Sequence, residues 1–276
     1  LILLSFFIHF SQSIEFPVVT TSYGPIRGYE YTSKAGFTAQ IFKKLPFASP
    51  PIGPLRFKKP EHPEKWNETI DGTFFGPACA QRTPWYLGPS TGFSEDCLHL
   101  NVYSSQFCRE SNSCPVLFIM HGGVGIYGSP MQFPDEVLVN NFVSQGLIVA
   151  STSYRLGPFG LMALGDENAL PANMALHDVL AALKFTRSEI HLFGGDKNEI
   201  TVMGQSASAQ MALVMAFSPA ISPPGESRLF RSVISMSGPS QLEGEEKQIE
   251  RSHRVASQLK CFGSAREIVD CMKTKS

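Results

Sequence analysis

Charge is scarce in this sequence. Asp, Glu, Lys and Arg make up 17% of its 276 residues, against about 25% for an ordinary soluble domain. The 23 basic and 24 acidic residues nearly cancel, leaving a formal net charge of −1. That balance removes the basic footprint of a nucleic-acid partner and gives an acidic or membrane-surface partner no electrostatic support. No CxxC pair occurs, and no HExxH or comparable metal spacing surrounds His99, His121 or His177, so no metal site is expected and no cofactor is implied. No apolar run is long enough to span a bilayer, and no charged heptad or strict glycine period is present. What the chain has is apolar content: 43% hydrophobic residues, with 23 Gly and 20 Pro to punctuate it. One large core, within the usual size limit of a single domain, is the expectation.

The first 13 residues stand apart from that core. Residues 1–10 (LILLSFFIHF) form a short apolar run, and Ser11-Gln12-Ser13 places small residues at the −3 and −1 positions of a cleavage site. They read as a secretory signal peptide entered partway, since the chain opens on Leu1 without a basic segment, leaving residues 14–276 as the mature domain. A secreted or lumenal protein follows. Six cysteines agree with an oxidising compartment. Proximity favours Cys79 with Cys97 and Cys261 with Cys271, each loop worth roughly 3 kcal/mol in the chain-entropy model. Cys108 and Cys114 flank a polar stretch and either close a small loop or stay free. Asn67-Glu68-Thr69 is an N-glycosylation sequon, consistent with the same compartment.

Strands and helices alternate along the rest. Residues 17–57 carry short β-like pieces and then a proline-rich loop. Residues 116–120 (VLFIM) and 147–151 (LIVAS) are unbroken apolar runs, the pattern of strands covered on both faces of a mostly parallel sheet. Residues 200–203 and 233–236 extend the series. Helical spacing marks residues 135–144, a longer helix opened by Pro171 and Asn173, and residues 207–217. An α/β layered sheet is the predicted class.

Two turns could carry chemistry. Residues 121–128 (HGGVGIYG) contain GxGxxG at Gly123, Gly125 and Gly128, directly after a strand. A dinucleotide site needs a helix on the third glycine and an acid about 20 residues on. Pro130 and Pro134 interrupt the helix, and LIVAS ends without an acid, so that reading is set aside. The second turn, Gly204-Gln205-Ser206-Ala207-Ser208, lies between a buried strand and an apolar helix. A serine on such a sharp turn has its hydroxyl pushed clear of the backbone, with a helix N-terminus behind it to favour negative charge. An ordinary βα turn whose serine only caps the helix is the bland alternative.

With these residues in view the chain resembles the N-terminal half of the type-B carboxylesterases, a family that includes cholinesterases and non-catalytic adhesion relatives. Phe193-Gly194-Gly195-Asp196 with Gly204-Gln205-Ser206-Ala207 is similar to the family's serine signature, and Glu95-Asp96-Cys97-Leu98 with Leu100-Asn101-Val102 to its second one. Leu45-Pro46-Phe47-Ala48 and Ser153-Tyr154-Arg155-Leu156-Gly157 resemble further family loops. The resemblance implies an α/β-hydrolase fold and acyl transfer from a small-molecule ester to Ser206, with backbone N–H groups of Gly123, Val124 and Ala207 holding the oxyanion. It implies the Cys79–Cys97 and Cys261–Cys271 pairings, and ion pairs of Arg56 with Glu95 and Arg155 with Asp178. The chain departs from the family at Val124 and Ser208, where glycine is usual, and a β-branched Val124 is strained if its φ is positive. The family's histidine and acid fall beyond residue 276, and His253 reads as a surface residue. The Cys79–Cys97 loop holds Trp85 and Tyr86, without the spacing of a choline site. Two classes stay open: a secreted serine esterase, here a fragment lacking its base and acid, and a silent hydrolase-fold protein for adhesion or ligand capture.

Overall fold

A computed structural model describes residues 16–82, 90–221, 228–238 and 244–275. The signal-like segment and Trp85 and Tyr86 lie outside the described residues. In chain order the strands are Val18–Thr20 (β1), Pro25–Arg27 (β2), Tyr29–Thr32 (β3), Thr38–Pro46 (β4), Ile70–Asp71 (β5), Ala78–Cys79 (β6), Phe93–Ser94 (β7), His99–Ser104 (β8), Cys114–Met120 (β9), Ile148–Thr152 (β10), Gly195–Gln205 (β11) and Ser232–Met236 (β12). The helices are Gln106–Ser111 (α1), Asp135–Asn141 (α2), Gly157–Leu161 (α3), Met174–Glu189 (α4), Ala207–Phe217 (α5), Glu245–Gln258 (α6) and Ala265–Lys273 (α7).

A 7-stranded sheet in the order β12-β11-β9-β10-β8-β4-β3 organises the molecule. Its strands β12, β11, β9 and β10 run parallel, whereas β8, β4 and β3 pair antiparallel. The expected mostly parallel sheet is therefore mixed. Within the antiparallel half, β3 and β4 form a hairpin closed by the Ser33 to Phe37 hydrogen bond, which needs no crossover helix, whereas β8 joins β4 and β10 from far along the chain.

Side-chain alternation assigns the two faces. On β9, Val116, Phe118 and Met120 join a core with Val179, Ala182 and Leu183 of α4 and Ala212 and Met215 of α5. Leu117 and Ile119 point the other way, into a cluster with Leu138 and Val139 of α2. A third cluster, under α6 and α7, gathers Met162, Leu170, Met174, Ala256, Ile268 and Met272. Helix α2 is shorter than its apolar spacing suggested: it ends at Asn141, and Gly146 at φ 79° closes a following 3₁₀ turn.

Few charges enter this interior, and most arrive paired; buried Glu189 instead accepts the Ser22 N–H at 2.8 Å. Arg155 donates from Nε and Nη2 to the two Asp178 oxygens at 2.8 and 2.7 Å, and its own amide N–H donates to Asp178 Oδ2 at 3.0 Å. Arg56 donates to both Glu95 oxygens. Its other nitrogen donates to the carbonyls of Lys275 at 2.6 Å and Lys273 at 3.2 Å, where the end of α7 leaves carbonyls without helical partners. Asp135, at the start of α2, accepts from Lys43 Nζ at 2.8 Å, Tyr29 Oη at 2.6 Å and Tyr103 Oη at 3.0 Å, pinning α2 to the β3–β4 hairpin.

Three disulfides are formed: Cys79–Cys97, Cys108–Cys114 and Cys261–Cys271. The middle bridge resolves what spacing left open. Ser105 caps α1 by accepting from the Cys108 N–H, and Asn112 at φ 54° reverses the chain, so that Cys114 returns beside Cys108 at a Cα separation of 5.4 Å.

Candidate active site

The candidate nucleophile sits where β11 gives way to α5. Ser206 has φ 58° and ψ −118°, a conformation that residues other than glycine rarely adopt. It is held there from both sides: its N–H donates to Met236 O at the end of β12 (2.9 Å), and its carbonyl accepts from Ala209 N (3.0 Å) as α5 begins. Gly204 makes the turn possible by close approach. A Cβ there would lie 2.3 Å from Ser208 O and 2.7 Å from Ala209 N, inside the first turn of α5. Ala207 is the first residue of α5, so no helical carbonyl can accept its N–H.

The glycine loop leaves β9 next to this elbow. Met120 pairs with Gly204 at the end of the β9–β11 ladder, so residues 121–128 start where the elbow starts. The two segments are in contact: a Cβ on Gly122 would lie 2.3 Å from Gln205 Oε1 and 2.9 Å from Gln205 O. Gly123, Val124 and Gly125 all have positive φ, at 114°, 58° and 70°. The Gly123 carbonyl accepts from Ile126 N and Tyr127 N, and Gly125 O accepts from Gly157 N at 2.7 Å, tying the loop to α3. A turn of this kind places no helix on Gly128, which disposes of the dinucleotide reading.

Val124 is thus in the conformation that its sequence position made costly. A left-handed conformation costs an ordinary L-residue roughly 1–2 kcal/mol, and β-branching worsens the clash. Val124 is 64% exposed, so it recovers little by packing. Val124→Gly is expected to stabilise the protein by about 1 kcal/mol after the entropy cost of glycine; a urea midpoint that falls instead of rising contradicts the strain.

Ser208, the other departure, is strain-free. It is fully buried, and its Oγ accepts from Gln205 N at 2.9 Å while lying 3.0 Å from both Met120 O and Gln205 O. Sequence alone marks it only as a departure from the glycine of the resembling family. The missed signal was its place two residues into a helix, where a serine hydroxyl readily bonds the backbone before it.

No histidine among the described residues hydrogen-bonds Ser206. His121, at the start of the glycine loop, is buried and stacks on Tyr154 with ring centroids 4.4 Å apart. Its Nδ1 donates to Gly122 O at 2.8 Å, and Tyr154 Oη donates to His121 O at 2.6 Å. His99 is buried in β8, His177 half-buried on α4, and His253 exposed on α6. Burial lowers His99 and His121 from 6.5 to about 4. Both stay neutral in the fold at pH values where the unfolded chain protonates. Their contribution to stability is complete above about pH 6.5 and is lost as pH falls toward 4, by up to about 1.4 kcal/mol per pH unit for each. Denaturation at pH 7 and pH 5 checks this: the midpoint is expected to drop at pH 5, and an unchanged midpoint contradicts neutral burial.

Among the described residues no group of acidic, histidine and cysteine side chains could hold a metal ion, and no helix is long and apolar enough to cross a membrane. Asn67 is exposed on the loop before β5.

Residues 15–276 match the model of the carboxylesterase family. Juvenile hormone esterase of Tribolium castaneum is 36% identical over 264 residues, covering 93% of this chain and 43% of the relative. Para-nitrobenzyl esterase of Bacillus subtilis (strain 168) is 36% identical over 237 residues, covering 83% and 45%. The crystal structure of juvenile hormone esterase from Manduca sexta, which carries covalently attached OTFP, superposes with a TM-score of 0.86 at 29% identity, covering 95% of this chain and 49% of that one. The chain spans less than half the length of these relatives. The mixed sheet, the elbow at Ser206 and these matches together mean that the chain has the α/β-hydrolase fold and belongs to the carboxylesterase family.

Proposed function

We propose that the protein is a secreted serine hydrolase of carboxylic esters, acting through an acyl-enzyme on Ser206. The observation that carries this reading is the backbone of Ser206, φ 58° and ψ −118° at the junction of a buried strand and a helix N-terminus. A sharp strand-to-helix turn of this kind supports a hydroxyl held clear of the helix, beside N–H groups that the first helical turn leaves without helical partners. Ser206 attacks the ester carbonyl, and the N–H groups of Gly123, Val124 and Ala207 stabilise the oxyanion. A histidine and a carboxylate from outside residues 1–276 complete the triad, so this stretch by itself does not turn over substrate. No cofactor takes part. The three disulfides, the exposed sequon at Asn67 and the signal-like residues 1–13 support passage through the secretory pathway, with residues 14–276 as the N-terminal part of one hydrolase domain.

A silent hydrolase-fold protein for adhesion or ligand capture is the second reading, favoured by one observation, the left-handed Val124 among the oxyanion donors. Rapid mixing of the full-length protein with a p-nitrophenyl ester separates the two. The esterase reading expects a burst of p-nitrophenol equal to one per Ser206, followed by steady turnover. Binding without release of p-nitrophenol favours the silent protein.

A further inference from the structure

The ladder between β9 and β11 ends at the Met120–Gly204 pair. Beyond it β9 passes at once into the glycine loop, and β11 continues through Gln205 before the serine elbow. The Ser208 hydroxyl sits across this fork. It accepts the N–H of Gln205 at 2.9 Å, and its single proton is shared between Met120 O and Gln205 O, each 3.0 Å away. The side chain is fully buried, so water cannot replace these bonds if the hydroxyl is removed, and the orphaned groups are costly. Glycine, the residue usual at this place in the resembling family, has nothing to offer either strand end.

We propose that Ser208 is a positioning residue, a buried clamp that fixes the serine elbow against the end of β9 and so sets the glycine loop relative to Ser206. The catalytic half of this inference rests on the reading of Ser206 as nucleophile; the mechanical half does not. The proposed oxyanion donors come from both segments, Gly123 and Val124 from the loop and Ala207 from the elbow. A hydroxyl bonded to Met120 O and Gln205 N therefore controls the distance between donors that must act on one oxygen. The strained Val124 lies only four residues past Met120, so the loop most in need of anchoring is the one the clamp holds.

Hydrogen exchange of the full-length protein tests the clamp directly, with Ser208→Ala and Ser208→Gly beside the unsubstituted chain. Amides of residues 121–128 and 203–206 are expected to exchange about tenfold faster in both variants, while β8 is unchanged, because a local opening free energy falls when buried bonds are removed. Unchanged exchange in 121–128 in either folded variant overturns the clamp. The kinetic arm asks whether position matters for chemistry: kcat and the rate of organophosphonate labelling are each expected to fall about tenfold with KM within about twofold, since small misplacements of catalytic groups cost rate and not binding. A variant that exchanges fast yet keeps its kcat overturns the positioning role. Failure of the unsubstituted protein to be labelled overturns instead the assignment of Ser206, and the exchange result still decides the clamp.

Discussion

Full-length protein carrying Ser206→Ala is expected to lose ester turnover by roughly 10⁴ to 10⁶ in kcat, with substrate affinity nearly unchanged. The size follows from covalent catalysis. Without Oγ there is no acyl-enzyme, and what remains is stabilisation of a water attack by N–H groups at the loop and elbow, typically worth 10³ to 10⁴ over water. Methyl for hydroxymethyl leaves the φ 58° backbone, the Met236 carbonyl tether and the start of α5 in place. Initial rates with a p-nitrophenyl ester, compared at matched folded fractions, give the number. A loss of less than about tenfold means that another group carries the reaction.

Asp178→Ala is expected to be the most damaging single change to the fold, at roughly 3 to 5 kcal/mol. Asp178 is fully buried on α4 and accepts three N–H donors from Arg155, two from the guanidinium and one from its amide. Removing the carboxylate leaves a buried guanidinium with, among the described residues, a single weak hydrogen bond, to the Met174 sulfur at 3.8 Å. The change also frees the segment leading from β10 into α3, whose first residue Gly157 holds the glycine loop by donating its N–H to Gly125 O, so loss of stability and loss of Ser206 reactivity are expected together. Urea denaturation measures the first. A cost under about 1 kcal/mol places the pair among ordinary surface ion pairs and contradicts the assigned burial.

The parts of the fold that periodicity controls were legible. Residues 207–217 form α5 with the predicted bounds, and the apolar runs at 116–120 and 200–203 are strands β9 and β11. Periodicity failed where partners outside the segment decide. Strand β8 is buried along its whole length yet reads His-Leu-Asn-Val-Tyr-Ser; its polar residues are tolerated because Asn101 bonds Ser151 and Ser104 bonds Phe193 O. Strand β11 begins at Gly195, ahead of its apolar core, because Gly195 pairs with Cys114 across a register shift. Helix α3 opens Gly-Pro and spans only 5 residues, which resembles a loop in any one-dimensional reading.

The candidate site divides in the same way. Residue types and order at 204–208 located the elbow, and the family resemblance supplied the roles. Sequence could say that a positive φ at Val124 costs energy; only the backbone shows that φ is 58°. Ser208 was the larger surprise: its bonds to Gln205 are local, but Met120 O lies on a strand that no local pattern connects to it.

The central claim is that Ser206 is an activated nucleophile, and covalent labelling tests it most directly. Full-length protein is treated with a fluorophosphonate, digested, and the peptides are sequenced by mass spectrometry. Such reagents need an activated serine beside oxyanion donors. The account expects one phosphonyl group per chain, located on Ser206 and absent from the Ser206→Ala variant, with faster labelling when Val124→Gly relieves the loop. Folded full-length protein that stays unlabelled, with Val124→Gly as well as without it, would contradict the esterase account and leave the binding protein in its place.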